Sequence, residues 1–257
     1  MLAPGISGGV DLPEDHQVDN RAVVTALIEA CRLAGVTMVA DRVVRVDVGA
    51  QPDHEQRVKG VSLAFGDDLA ASSVVISAGS RSGEVEGLPE AWRPPVRPVH
   101  GVTARLHARH GVPRLRRTVR ALVHGRSCYL VPRDDGGLVL GATMEERGST
   151  LDVPLGGLAD LLADARRIVP ALDEYSVIEL APGLRPGSPD NGPIIGTTAV
   201  HGLLLATGHF RNGVLLAPAT ADEVIALLDD QDDRTTVGPS PFDAFRPLRF
   251  TEPGPHG

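Results

Sequence analysis

Apolar positions recur along this chain in two rhythms, one near 3.6 residues and one near two. "DNRAVVTALIEACRLAG" (19–35) carries Val23, Leu27, Ala30 and Ala34 at helical spacing, with Val24, Ile28 and Cys31 beside them. Asp19 stands as its N-cap and Gly35 as its left-handed close. Short apolar runs follow at 36–40, 43–48, 61–65 and 73–79, separated by the turn-forming "GAQPD" and "GDD". They predict strands: a β-meander and a last buried strand that ends at Ala78-Gly79.

"RPPVRPV" (93–99) is proline-dense and reads as a crossing between domains. Beyond it, "SCYLVPR" (127–133), "DDGG" and "LVLGAT" (138–143) predict a hairpin. Leu158, Leu161, Leu162, Ala165 and Val169 mark an amphipathic helix that stops at Pro170. A strand then runs into the Gly/Pro loop "PGLRPGSPDNGP". "GLLLATG" (202–208) predicts a buried strand, and "NGVLLAPATADEVIALLDD" a helix that tolerates Pro218 only near its start. From about residue 230 the composition is polar and proline-rich, as in a weakly ordered tail.

The chain is 257 residues long with a net charge of −8, 42% hydrophobic and 3% aromatic residues, so its core is built from Val, Leu and Ala. That charge argues against nucleic acid as a partner. Seven arginines between Arg105 and Arg126 run the other way and read as a solvated face. Cys31 and Cys128 both lie in apolar stretches and read as buried small hydrophobes, not a disulfide. No stretch reads as a membrane span or signal peptide, so a cytoplasmic location is expected. "GISGG" around Ser7 has the letters of a hydrolase elbow, but only four residues precede it, too few for the strand that motif needs.

One six-residue stretch is unusual. "GHFRNG" (208–213) sets a glycine-bracketed turn carrying a cation between two apolar runs. On its own residues it reads as an ordinary strand–helix turn whose glycines relieve strain. Together with "CYLVPRDDGGLVLGATME" (128–145), "APGLRPGSPDNGPIIG" (181–196), "VVISAGSRSG" and "RPVHG", it resembles the glycine oxidase branch of the D-amino-acid-oxidase flavoproteins, from about residue 3 to 228.

The resemblance implies FAD as cofactor, cradled by His209, Phe210, Arg211, Asn212, Gly213, Val214 and Leu215. There, free N–H groups and a helix N-terminus face the part of the ring that becomes anionic on reduction. It implies lesser contacts from Val43, otherwise a core valine, and from Ala78 and Gly79. Arg185 is implied to hold the substrate carboxylate through its planar fork, with Arg211, Tyr129 and Met144 around the substrate. The plain readings are a loop arginine for Arg185 and a half-buried strand residue for Tyr129. No general acid or base is implied, and His209 reads as a shape residue.

The implied reaction is hydride transfer from glycine, a small amine or a D-amino acid, with O2 reduced to H2O2 and the product feeding thiazole synthesis for thiamine. A sarcosine oxidase or amine dehydrogenase is the neighbouring reading. The expected fold is mixed α/β: an incomplete Rossmann-like FAD-binding domain (16–95 and 181–228), a mixed or antiparallel substrate-binding sheet (96–180) and a tail (229–257). A homo-oligomer fits the family.

The departure is the missing strand–G-x-G-x-x-G–helix unit. The chain opens at a point resembling the middle of the family. It therefore reads as an oxidase shortened at its start, or else as a short protein that pairs with a partner or no longer binds FAD.

Overall fold

The computed structural model describes residues 2–50, 56–233 and 239–250. In chain order the elements are α1 (Asn20–Leu33), β1 (Val43–Ala50), β2 (Gln56–Leu63), β3 (Leu69–Ala70), β4 (Val74–Ile76) and β5 (Arg97–Ala108). Then come β6 (Val119–Val123), β7 (Arg126–Pro132), β8 (Gly137–Gly141), α2 (Leu155–Ile168), β9 (Tyr175–Gly187), β10 (Ile194–Thr197), β11 (Leu203–Thr207) and α3 (Gly213–Asp233). The fold is mixed α/β, as the residue rhythms predict.

Two compact units divide the chain, residues 1–31 with 100–184 and residues 32–99 with 185–257. In the first, five strands lie in the order β6-β7-β8-β5-β9. The pairs β6–β7, β7–β8 and β5–β8 are antiparallel. Leu130, Leu140, Ala104 and Cys128 form the buried side, and Leu161, Ala165 and Val169 from α2 and its end join that core. Of the stripe expected from helical spacing, Leu161, Ala165 and Val169 are buried and Leu158 and Leu162 half-buried. Residues up to Cys31 belong to this unit, so the stretch expected to start the FAD-binding domain at 16 is split.

The second unit holds an antiparallel meander, β1-β2-β3, and a three-stranded sheet, β10-β11-β4. In that sheet β10 and β11 are antiparallel, while β11 and β4 run parallel with Leu203, Leu204 and Leu205 beside Val74, Val75 and Ile76. Val46, Val58, Ile76, Ile194, Leu203 and Leu205 share one core.

Several expectations are corrected. Residues 36–40 form no strand; no neighbouring strand among the described residues offers them a ladder, and Val36, Met38 and Val39 are exposed. "GLRPG" is not a loop but the end of β9. Residues 239–250 are not a loose tail: Phe242 is buried and two short 3-10 turns, Asp243–Phe245 and Pro247–Phe250, follow. Residues 251–257 lie outside the described residues. Both cysteines are free, but only Cys128 is buried, and that burial pushes its thiol pKa up; Cys31 is half-buried because α1 has no buried residue.

Capping is as read from sequence. The Asp19 carboxylate accepts the N–H of Arg21 at 2.9 Å and of Ala22 at 3.3 Å, and Gly35 adopts φ +77°. The arginine-rich stretch is charge-paired: Arg117 to Asp11 at 2.7 Å, Arg120 to Asp15 at 2.8 Å and Arg126 to Asp164 at 2.7 Å. Arg109 pairs with Glu174 as well. Ser7 sits in an exposed, irregular stretch, without the strand a nucleophile elbow requires.

Candidate functional site: the carboxyl ends of a parallel strand pair

In the second unit β4 and β11 run parallel, so their carboxyl ends lie side by side. Open α/β sheets place ligands beyond such ends. Ala78 and Gly79 follow β4, and Gly208 to Asn212 follow β11. Hydrogen bonds tie the two ends together. The buried Ser82 hydroxyl lies 2.7 Å from the Thr207 hydroxyl, and Ser82 and Thr207 donate to the Gly79 carbonyl at 2.9 and 3.3 Å. Ser77 donates to the Ala206 carbonyl at 3.2 Å. Gly79 has φ +58° with nothing near its missing Cβ, so its glycine answers to backbone conformation and leaves the space in front open.

The turn after β11 is held from both sides. Gly208 has φ +74°, and a Cβ there would lie 3.1 Å from Ile194 Cγ1. Phe210, with φ +50°, donates its N–H to the Pro186 carbonyl at 2.9 Å, and Gly187 forms a bridge with His209. Asn212 N–H closes on the His209 carbonyl at 2.9 Å. Helix α3 starts at Gly213, and its first backbone bond runs from Leu216 N–H to the Asn212 carbonyl at 2.9 Å. The N–H groups of Gly213, Val214 and Leu215 therefore have no backbone acceptor among the described residues. Val214 and Leu215 are 54% and 78% exposed despite their apolar side chains.

Gly213 differs from Gly208. A Cβ there would come no closer than 3.7 Å to His209 Cβ, an ordinary contact. The fold itself does not demand that glycine. His209 is half-buried, and that desolvation lowers its pKa; its Nε2 lies 2.9 Å from the Thr220 hydroxyl. It is braced against α3.

A cavity of about 500 Å³ lies on the β4 side of this unit. Val43, Val44, Val46, Val74 and Ala78 line it together with Arg42, Arg81, Glu84 and Glu86. Two candidate cofactor residues from distant parts of the sequence, Val43 and Ala78, thus share one wall. The charged rim of that cavity gave no signal in the sequence.

The four candidate substrate residues fall in different units. Tyr129 is on β7 of the first, opposite Arg120 and Gly141; a Cβ on Gly141 would stand 2.2 Å from its ring and hydroxyl, so the ring lies across that glycine. Met144 follows β8 and is exposed. Arg185 and Arg211 belong to the second unit. Arg185 is half-buried at the end of β9, directly before the Pro186 carbonyl that anchors Phe210. Arg211 is exposed and has no ion pair among the described residues. Among those residues no group of histidines, cysteines or carboxylates is arranged to hold a metal, and no helix is long and apolar enough to cross a membrane.

The sequence matches the model of one family, FAD dependent oxidoreductase, over residues 1–227. The chain belongs to this family. A bifunctional protein ThiO/ThiG from Synechocystis is 36% identical over 97% of the chain, and the glycine oxidase of Bacillus subtilis is 42% identical over 46% of it. Among solved structures, the glycine oxidase of Geobacillus kaustophilus superposes with a TM-score of 0.71 at 28% identity over 87% of the chain. The chain spans 35% of the ThiO/ThiG length, 31% of the Bacillus protein and 56% of the Geobacillus chain. The span matched by the family includes this parallel pair and its turn.

Proposed function

We propose that this chain supplies the substrate-holding part and one side of the FAD site of a glycine-oxidase-type enzyme that deaminates glycine, a small amine or a D-amino acid for thiazole synthesis. The observation that carries it is the strand–turn–helix of residues 203–215. A buried strand ends in a tight turn, three helix N–H groups have no backbone acceptor among the described residues, and apolar side chains beside them are exposed. Such an end suits a planar, apolar ring with a polar edge that gains negative charge. The residues fit that part of FAD. Nothing in the chain carries the glycine pattern that would wrap its pyrophosphate.

When bound, FAD supplies a two-electron acceptor that O2 reoxidises with release of H2O2. This chain's residues bind and orient. Arg185 and Arg211 of the second unit meet the substrate carboxylate. The neutral, braced His209 takes no proton, consistent with a substrate that reacts as its free amine and needs no protein base. Water then hydrolyses the imine product, so glycine, O2 and water give glyoxylate, ammonia and H2O2.

A second reading has its own observation. β4 has β11 on one edge and no other strand among the described residues, and the apolar side of α1 is exposed. Those surfaces favour a chain that takes up FAD only alongside further polypeptide. One experiment separates the readings. The purified chain is incubated with FAD and passed through gel filtration. A visible flavin band that travels with the protein, followed by peroxide formation with glycine, sarcosine or D-alanine, supports the first. A colourless protein supports the second. Flavin without peroxide, but with reduction of an artificial acceptor, identifies a dehydrogenase.

A further inference from the structure

Residues 239–250 lie beyond the span matched by the family, yet they are tied into the candidate site's own unit. Arg249 is the knot. Its Nε donates to Asp190 Oδ2 at 2.9 Å and its Nη2 to the Pro193 carbonyl at 2.7 Å and the Gly192 carbonyl at 3.2 Å. Its Nη1 donates to the Phe245 carbonyl at 2.6 Å, and the guanidinium stacks 4.1 Å from the Phe250 ring centroid. A planar five-donor fork is the side chain able to make all of these at once.

Asp190 in turn shapes the loop it belongs to. Its Oδ1 accepts the Ser188 hydroxyl and the Gly192 N–H, both at 2.9 Å. The Phe245 ring packs where a Cβ of Gly192 would be, 3.0 Å away. That loop is the floor under the turn. Gly208 sits 3.4 Å, measured from its missing Cβ, from the Gly192 carbonyl and from Ile194 N, and Gly187 at the loop's start bridges to His209. The same segment also reaches α3, about three turns beyond its start. Arg246 pairs with the buried Glu223 of α3 at 2.7 Å, and the Ser240 hydroxyl donates to Glu223 at 2.6 Å.

We propose that residues 239–250 form a clamp that sets the Gly208–Asn212 turn relative to the body of α3, with Arg249 as its positioning residue for the cofactor. The flavin part of this inference rests on the function proposed above; the clamp itself does not. Arg249 touches neither the turn nor any ligand. It acts through Asp190 and the 188–193 loop, while Arg246 fixes the helix.

Hydrogen exchange and FAD titration of the full chain test it together. In Arg249→Ala the amides of Phe210 and Asn212, and those of Asp190, Asn191 and Gly192, are expected to exchange about tenfold faster or more, while β6–β8 keep their protection. The FAD midpoint is expected to rise about tenfold, 1.4 kcal/mol by the usual conversion. Arg249→Lys keeps the charge with fewer donors and is expected to recover part of the protection. Faster exchange confined to Asp190, Asn191 and Gly192, with Phe210 and Asn212 unchanged, would overturn the clamp. So would a uniform loss of protection across β4, β10 and β11, because that is lost stability and not positioning. If Arg249→Ala yields no folded chain, Asp190→Asn reads the same exchange. A wild-type chain that takes up no FAD favours the second reading above, and the exchange result still decides the clamp.

Discussion

Gly208 and Gly213 bracket the same turn for different reasons. Gly208 has a left-handed backbone and Ile194 against it. Gly208→Ala is expected to destabilise the chain by about 1–3 kcal/mol, read by chemical denaturation. Gly213 has neither constraint, so Gly213→Ala is expected to leave stability unchanged or raise it by up to about 1 kcal/mol. If the backbone there faces the flavin, the same variant retains less FAD on gel filtration. A Gly213→Ala chain that keeps full flavin uptake would show that no ligand approaches that residue.

Asp190 gives the site unit a definite acid dependence. Burial alone would push its carboxyl up, but the Arg249 guanidinium, the Gly192 N–H and the Ser188 hydroxyl outweigh it and hold the pKa at about 2, below the ordinary 3.8. Folding therefore favours the ionised form. The contribution is full above pH 3.8 and is lost as the pH falls towards 2. The stability difference between wild type and Asp190→Asn, measured by denaturant titration, is expected to be largest at neutral pH and to close over that interval. A difference that stays constant down to pH 2 would mean that the Arg249 pair does not favour the charged form.

Elements that stabilise themselves locally were readable from sequence. The hairpin β7–β8 has its Asp/Gly turn, α2 its apolar stripe, and α1 its Asp19 cap. The strand–turn–helix at 203–215 was readable too, because its glycines and apolar runs are contiguous. Features decided by distant neighbours were not. A strand at 36–40 requires a ladder that the described residues lack. The clamp joins Arg249 to Asp190 across 59 residues, and nothing in "FRPLRF" announces that partner. The cavity beside β4 gathers Val43, Ala78 and Glu86 only once the meander has folded back. In the other unit, Leu130 of β7 is fully buried between sheet and α2. Leu130→Ala is expected to cost about 2–5 kcal/mol in thermal or denaturant unfolding. FAD uptake by whatever fraction remains folded should be unaffected, since the candidate turn lies in the other unit.

For the whole molecule, the conspicuous feature is apolar surface without a cover. Leu27 is 57% exposed on α1, with Val24, Ile28 and Leu33 on the same helix and Val36, Met38 and Val39 just beyond it. Patches of this kind mark association surfaces. The isolated chain is expected to associate with rising concentration in sedimentation velocity, and Leu27→Lys to shift it towards the monomer without changing helical content. Monomeric behaviour of wild type at high concentration would mean that this surface tolerates water.

The parallel pair at the site also sets a schedule. Ser77 and Ala206, hydrogen-bonded neighbours at the ends of β4 and β11, are 129 residues apart in sequence. At roughly 5–20 residues per second of synthesis, β4 leaves the ribosome on the order of ten seconds before β11 exists to pair with it. For that interval a run of valines and isoleucine waits with both edges open. The contact that makes the candidate turn possible is thus among the slowest to form, and the nascent chain depends during that time on whatever shields β4 from other strands.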